Sequence, residues 1–452
     1  MTAAPRNDAL DLLRGLAIVG MVLSGLLPHD GSLPGWMYHA QVGPPDFKFH
    51  PDVPGISWVD LVFPFFLFCL GAALPLAFET RWDQHSHADR LLGLLKRGGL
   101  LALLALAIHR YGPLHLSAAP SKLQWASGIA AFAGIGLLLA GWPGTKRGRW
   151  WAGLLGACLL GALAWWHQGS KAFDPARNDI ILMVLANMAV FGGLVWLLTR
   201  GNIPLRLGVI AMFAALRLTQ GVEGSWNHKL WRLGDGLQWL YRPDFLKYLC
   251  IVIPGSIVGD LLLTAARSPS SAPRRTWLGW LALALILVNL YGLYTRQIGL
   301  NLLLTLALGM ALWWQARRGS LLHRQLAGWA LYWIALGLCF EALDGGIKKD
   351  PSSWSYWFLS SGLAICAWLA LDAAQARLAP TALWRALRDC GQNPLLAYVL
   401  AGFVLLPLLA LSGLGGVLAT YPALGLLKPL LLTALVILLT ALATRRGWLW
   451  KT

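Results

Sequence analysis

Apolar residues run along this chain in blocks of about 18 to 22, the length that crosses a bilayer core, and short polar stretches separate one block from the next. The blocks fall near 9–27, 57–79, 96–112, 122–141, 150–166, 179–198, 203–217, 246–266, 277–294, 299–316, 325–342, 354–376, 391–412 and 426–444, with the short one at 203–217 the weakest. They predict an all-α, polytopic integral membrane helix bundle of about 11 to 14 transmembrane helices. No fixed-period repeat and no linker long enough to set off a soluble domain interrupts the row, so residues 1–452 read as a single membrane-embedded domain. The first block carries Asp11 and Arg14 and no small-residue cleavage site follows it, which reads as a retained helix and not a signal peptide.

Composition narrows the class further. Of the residues, 57% are hydrophobic and 13% charged, against roughly 25% charged in a soluble domain, which excludes an ordinary soluble enzyme. The formal charge of +17 would suggest nucleic acid in a soluble chain. Here most Lys and Arg lie in short loops, as with Lys146, Arg147 and Arg149 or Arg317, Arg318 and Arg324. The orientation rule explains these with both termini cytoplasmic and no nucleic-acid partner. The stretches 28–56, 218–245 and 343–353 are different, because they mix acids, bases, His and Trp, and they form the expected working surface on the non-cytoplasmic side. The six cysteines show no metal-ligand spacing and read as small core residues.

Three segments carry candidate chemistry. The first, from Pro28 to Gly71, holds His29, Asp30, His39, Gln41, Asp46, Lys48 and His50, then enters a helix with Asp60 about one turn in. A carboxylate there either satisfies helix-end amides or serves a function. His50, ten residues earlier, is a candidate general base with Asp60 behind it, although a loop histidine is also an ordinary solvated residue. In the second, Glu341 closes a helix and Lys348, Lys349 and Asp350 precede Pro351-Ser352-Ser353. This reads either as a capped helix start with Pro in its first turn or as a lysine pair reaching an anionic or polyhydroxyl ligand. In the third, Gln392 and Asn393 open a late helix before Pro394, as a phosphate or amide site or as a plain cap. Lesser candidates are the Asp11/Arg14 pair and Gln124, for which buried pairing is the simpler account. His85 and His87, at i,i+2 in a basic loop, read as a solvated face, and no metal is expected.

Taken together, RNDALDLLRGLAIVGMVL, HPDVPGISWVDLVFPFFLFCLGAALPLAF, GIKKDPSSWSYW and GQNPLLAYVL resemble the heparan-α-glucosaminide N-acetyltransferase family, and more closely its bacterial relatives. The resemblance covers about the first 130 and the last 120 residues, and DLVFPFFLFxxG is its most specific part. It implies an enzyme of the bacterial inner membrane that takes acetyl from cytosolic acetyl-CoA and delivers it to a carbohydrate amine or hydroxyl on the extracytoplasmic side, and it allows a homodimer. The family's active-site histidine, ten residues before its DLVFP block, matches His50, with Asp60 behind it. A family asparagine at the outer end of the first helix has no counterpart at Ser24-Gly25, and His39 or Gln41 stands in to bind the acceptor, together with Lys348, Lys349 and Asp350. Arg14, Arg97, Gln124, Arg388, Gln392 and Asn393 are the expected acetyl-CoA contacts. A sugar or glycolipid transporter or flippase is the rival class.

Overall fold

The computed structural model describes residues 7–79, 82–84, 86–140, 145–166, 173–233, 235–267, 276–414 and 426–450, so His85 lies outside the described residues. The described chain is helical, with an isolated bridge between Ala140 and Trp450 its only β pairing. Its principal helices are α1 (Asp8–Leu26), α2 (Trp58–Glu79), α3 (His87–Tyr111), α4 (Lys122–Leu139), α5 (Lys146–Trp166), α6 (Ile180–Leu198), α7 (Ile203–Thr219) and α8 (Leu249–Arg267). They continue with α9 (Thr276–Tyr294), α10 (Ile298–Arg317), α11 (Leu321–Leu343), α12 (Trp354–Gln375), α13 (Ala382–Gln392), α14 (Pro394–Leu411) and α15 (Leu427–Arg445).

Twelve helices are long and apolar enough to cross a membrane among the described residues, which makes this a multi-pass membrane protein. The helices α5, α7 and α13 are not among the twelve. The first opens on Lys146, Arg147 and Arg149, the second has only 17 residues, and the third is an amphipathic segment of 11.

The chain forms two compact units that interleave along the sequence. Unit 1 comprises Met1–Ser86, Val195–Leu207 and Tyr248–Gly391, and unit 2 comprises His87–Leu194, Gly208–Lys247 and Gln392–Thr452.

In unit 1 the close approach of α2 and α8 depends on glycine. A Cβ at Gly71 would fall 2.2 Å from the Val252 carbonyl, one at Gly255 2.2 Å from the Phe68 carbonyl and one at Gly259 2.4 Å from the Ala72 carbonyl. The sequence Gly255-Ser-Ile-Val-Gly259 is thus a small-xxx-small seam of the kind that lets membrane helices touch backbone to backbone. The most buried of the spans, α12, fills the middle of this unit with Trp357 and Trp368.

That helix also repairs its neighbours. Pro64 in α2 has no N–H to give Asp60, four residues back, and the Asp60 carbonyl instead accepts from the Tyr356 hydroxyl at 2.7 Å. Pro254 in α8 frees the Cys250 carbonyl in the same way, and the Ser361 hydroxyl reaches it at 3.4 Å. Fully buried Arg206 is paired with Asp260 at 2.6 Å and bonded to Thr199 and Ser256, as a buried charge requires.

All six cysteines are free. Cys69, Cys250, Cys366 and Cys390 are buried as expected, whereas Cys158 and Cys339 lie exposed on apolar helices.

Candidate functional site

The loop between α1 and α2 is folded back over the entrance of α2, within unit 1. Tyr38, 3% exposed, donates to the Pro28 carbonyl at 2.5 Å, and its ring packs with those of Phe47 and His29. Gln41 is a clamp between distant segments. Its Nε2 donates to the carbonyls of Pro51 (3.0 Å) and Asp350 (2.6 Å), and its Oε1 accepts from the Asp350 amide at 2.9 Å. Gly55 adds a bond to the Ile347 carbonyl at 2.7 Å with φ +133, a conformation that needs glycine. Together these place His39 and Lys349 beside the first turn of α2.

Asp60 occupies the third helical position and its two oxygens do different things. Oδ2 accepts from the Ser57 amide at 2.9 Å and the Ala40 amide at 3.2 Å, while the Ser57 hydroxyl accepts from the Val59 amide, a variant of the capping box. Oδ1 meets His39 Nδ1 at 2.7 Å. The cap and the functional candidate are therefore the same side chain. An ionised carboxylate only accepts, so Nδ1 carries the proton and Nε2 the lone pair. Lys349 Nζ stands 3.1 Å from that Nε2 and 3.0 Å from Nδ1. The Asp60 carboxyl is 2% exposed and His39 35%, so the imidazole is the part of the cluster that an incoming molecule meets.

A family model described as a domain of unknown function, DUF5009, matches residues 6–262, more than half of the chain. The chain belongs to the DUF5009 family. No curated protein matches it. The DUF5009 match takes in His39, Gln41, His50 and Asp60 and ends within α8, so this DUF5009 protein draws Lys349 and Tyr356 from beyond the matched region.

The expected partnership of His50 with Asp60 is not the one the DUF5009 chain forms. His50 is exposed on the loop, with Nε2 3.0 Å from Asp46 Oδ2, and only its backbone joins the site, through a bond to the Gln41 carbonyl at 2.9 Å. The amide of Lys48, with His50 beside it, holds the Asp46 carboxyl below its usual range. A ten-residue spacing through an irregular loop fixes no direction. The anchors at Tyr38 and Gln41, on either side of His39, do.

The other candidates separate. Lys348 closes its loop through backbone bonds to Ser353, and exposed Asp350 contributes its backbone to Gln41. The predicted start at Asp350-Pro351 is displaced, since Ser353 is the cap, accepting from the Tyr356 amide at 3.3 Å, and Pro351 precedes the helix. Glu341 is ion-paired with Arg296 at 2.6 Å.

Arg14 pairs with Asp11 at 2.6 Å, as their spacing predicts, and its Nε donates to the Gly391 carbonyl, while Arg388 meets Asp8 at 3.3 Å. Gln124 forms a capping box with Ser121 at the start of α4 in unit 2, where half-buried Arg97 lies on α3. Gln392 ends α13. Asn393, fully buried, spends its amide on the Trp448 carbonyl (2.8 Å) and the Trp450 amide (3.0 Å), so it anchors a chain segment instead of capping α14 or facing a ligand.

Burial holds the Lys349 ammonium below the ordinary lysine value of 10.5, with Asp60 and Asp350 pulling the other way. Between the depressed folded value and 10.5 the unfolded chain binds more protons than the folded one, so this lysine's contribution to stability rises with pH across that window. Lys349→Met removes the slope. Melting temperatures in detergent should show wild type gaining on the variant as pH rises toward 10.5, and a difference flat in pH would place the amine in a solvent-like setting.

Proposed function

We propose that this protein is a transmembrane acyltransferase moving an acetyl group from cytosolic acetyl-CoA to a carbohydrate amine or hydroxyl on the extracytoplasmic side, with His39 as general base in place of His50. The observation that carries this reading is the 2.7 Å contact of His39 Nδ1 with Asp60 Oδ1, which leaves Nε2 of a half-buried ring with the lone pair that takes a proton. The motif resemblance supports the transferase chemistry and a bacterial inner-membrane location, and the Lys and Arg bias of the loops supports both termini being cytoplasmic.

In the reaction the acceptor nitrogen or oxygen bonds to the thioester carbonyl carbon as Nε2 removes its proton. The C–S bond then breaks, and the CoA thiolate leaves and is protonated by the imidazolium. The Lys349 ammonium offsets the negative charge that develops on the carbonyl oxygen, and an acceptor hydroxyl takes over its contact with Nε2. Gln41 holds the two loops that carry these groups. Arg14 and Arg388, at the opposite end of α1, are the cations of unit 1 suited to the CoA phosphates.

The test is acetyl-CoA consumption by the purified protein in detergent against a panel of amino sugars and oligosaccharides. CoA release that depends on the acceptor is the expected result. Uptake of labelled sugar into proteoliposomes without acetyl-CoA, and with no CoA release, would instead make the protein a transporter.

A further inference from the structure

Unit 2 contains a feature that the acyltransfer reading does not use. A crevice of about 540 Å³ opens between α3 and the pair α4 and α5, within the roughly 300–1,000 Å³ range of sites that hold an organic ligand. Its walls are hydrocarbon, including Leu100, Leu104, Ile135, Leu139, Leu160 and Ala164. All three elements are helices of a membrane protein, so a hydrocarbon chain is the natural content of this space.

One end of the crevice is built differently. Arg110 and Phe173 line both it and a small recess of about 30 Å³ whose other walls include His109, His115, Asp174 and Arg177. The imidazoles of His109 and His115 stack at 4.8 Å. Arg110 is oriented by a bond to the Ala164 carbonyl at 2.9 Å, and Tyr111 by one to the Leu160 carbonyl at 2.9 Å, which fixes the end of α3 against α5. Two guanidiniums and two imidazoles thus surround a single carboxylate, Asp174, which lies 3.5 Å from Arg177. The fork of a guanidinium matches phosphate oxygens, and clustered cations beside a membrane surface attract anionic headgroups.

We propose that this crevice is a specific site for one anionic glycerophospholipid, with an acyl chain between α3, α4 and α5 and its phosphate against Arg110 and Arg177. The argument rests on charge complementarity at the mouth and on the apolar walls behind it.

The experiment is native mass spectrometry of the full-length protein delipidated in detergent and titrated with phosphatidylglycerol or with phosphatidylcholine of the same chains. One phosphatidylglycerol should be retained in preference to phosphatidylcholine. The double variant Arg110→Gln/Arg177→Gln should weaken phosphatidylglycerol binding about thirty-fold, and Arg177→Gln alone, on an exposed loop, about five-fold, at about one cationic contact each. Because that loop side chain is 58% exposed, the single variant guards against a folding defect. Ala107→Trp, which narrows the crevice and leaves the charges in place, should reduce retention of both lipids. Equal retention of the two lipids by wild type, or phosphatidylglycerol binding unchanged in Arg177→Gln, overturns the proposal. So does an isoprenoid phosphate co-purifying in place of the phospholipid, or inorganic phosphate competing as well as the lipid does.

Discussion

His39→Ala will lower acceptor-dependent CoA release by about 10²- to 10⁴-fold, the usual contribution of a positioned acid–base group, whereas His50→Ala will leave it close to the wild-type rate. The contrast follows from where the two imidazoles stand. His39 is fixed by the Asp60 carboxylate at 2.7 Å, whereas His50 sits on exposed Asp46 with only its backbone tied into the site. Asp60→Asn sharpens the test. The amide oxygen can still accept from Ser57 and Ala40, so the helix start survives, but an amide facing Nδ1 no longer selects the tautomer with its lone pair on Nε2. Turnover should therefore fall with little change in melting temperature. The reverse outcome, loss in His50→Ala with His39→Ala active, would return the base to the position that the motif resemblance indicates and leave the His39–Asp60 pair a structural tie.

Gly255→Ala is expected to destabilise the protein by about 3 kcal/mol, at the upper end of the typical range for overpacking. The added carbon would meet the Phe68 carbonyl at 2.2 Å and the Ala72 amide nitrogen at 3.1 Å, and these are backbone atoms that cannot swing away. Thermal unfolding in detergent should show a drop of several degrees or more. Gly25→Ala, on an exposed face of α1 with nothing within 4 Å of the added carbon, is the control and should melt like the wild type. A melting temperature in Gly255→Ala equal to that of the control would mean that α2 and α8 can separate freely, contrary to the seam described here.

The bundle could be read from the chain because bilayer thickness imposes one length on every span, and blocks such as 57–79 and 354–376 return as α2 and α12 almost residue for residue. The two blocks that do not count as spans, α5 and α7, are those with a basic entrance or too few residues. The site was legible in part. Asp60 and Lys349 stand out as charges at the ends of apolar runs, where they need a reason. Their partners do not, because the loops carrying His39 and Lys349 have no period, and Gln41, which joins them, bonds to backbone 309 residues away. One further signal was present in the letters. Pro64 follows Asp60 by four residues and so announces a carbonyl in need of an outside donor, although only packing reveals that the donor is Tyr356.

The clamp between Gln41 and Asp350 also has a meaning in time. Some 300 residues separate the histidine half of the site from the lysine half, and at about 5–20 residues per second of synthesis the first half waits on the order of 15 to 60 s for the second. During that interval the Asp60 carbonyl lacks the Tyr356 hydroxyl and the loop at Pro51 lacks its tie to Asp350. The nascent membrane protein thus carries an unfinished half-site through most of its insertion, and the site closes only after most of the helices have been made. Joining of these two loops is therefore a late event in biogenesis, and a chain stalled before α12 would differ from a finished one by an Asp60 carbonyl that still lacks its outside donor.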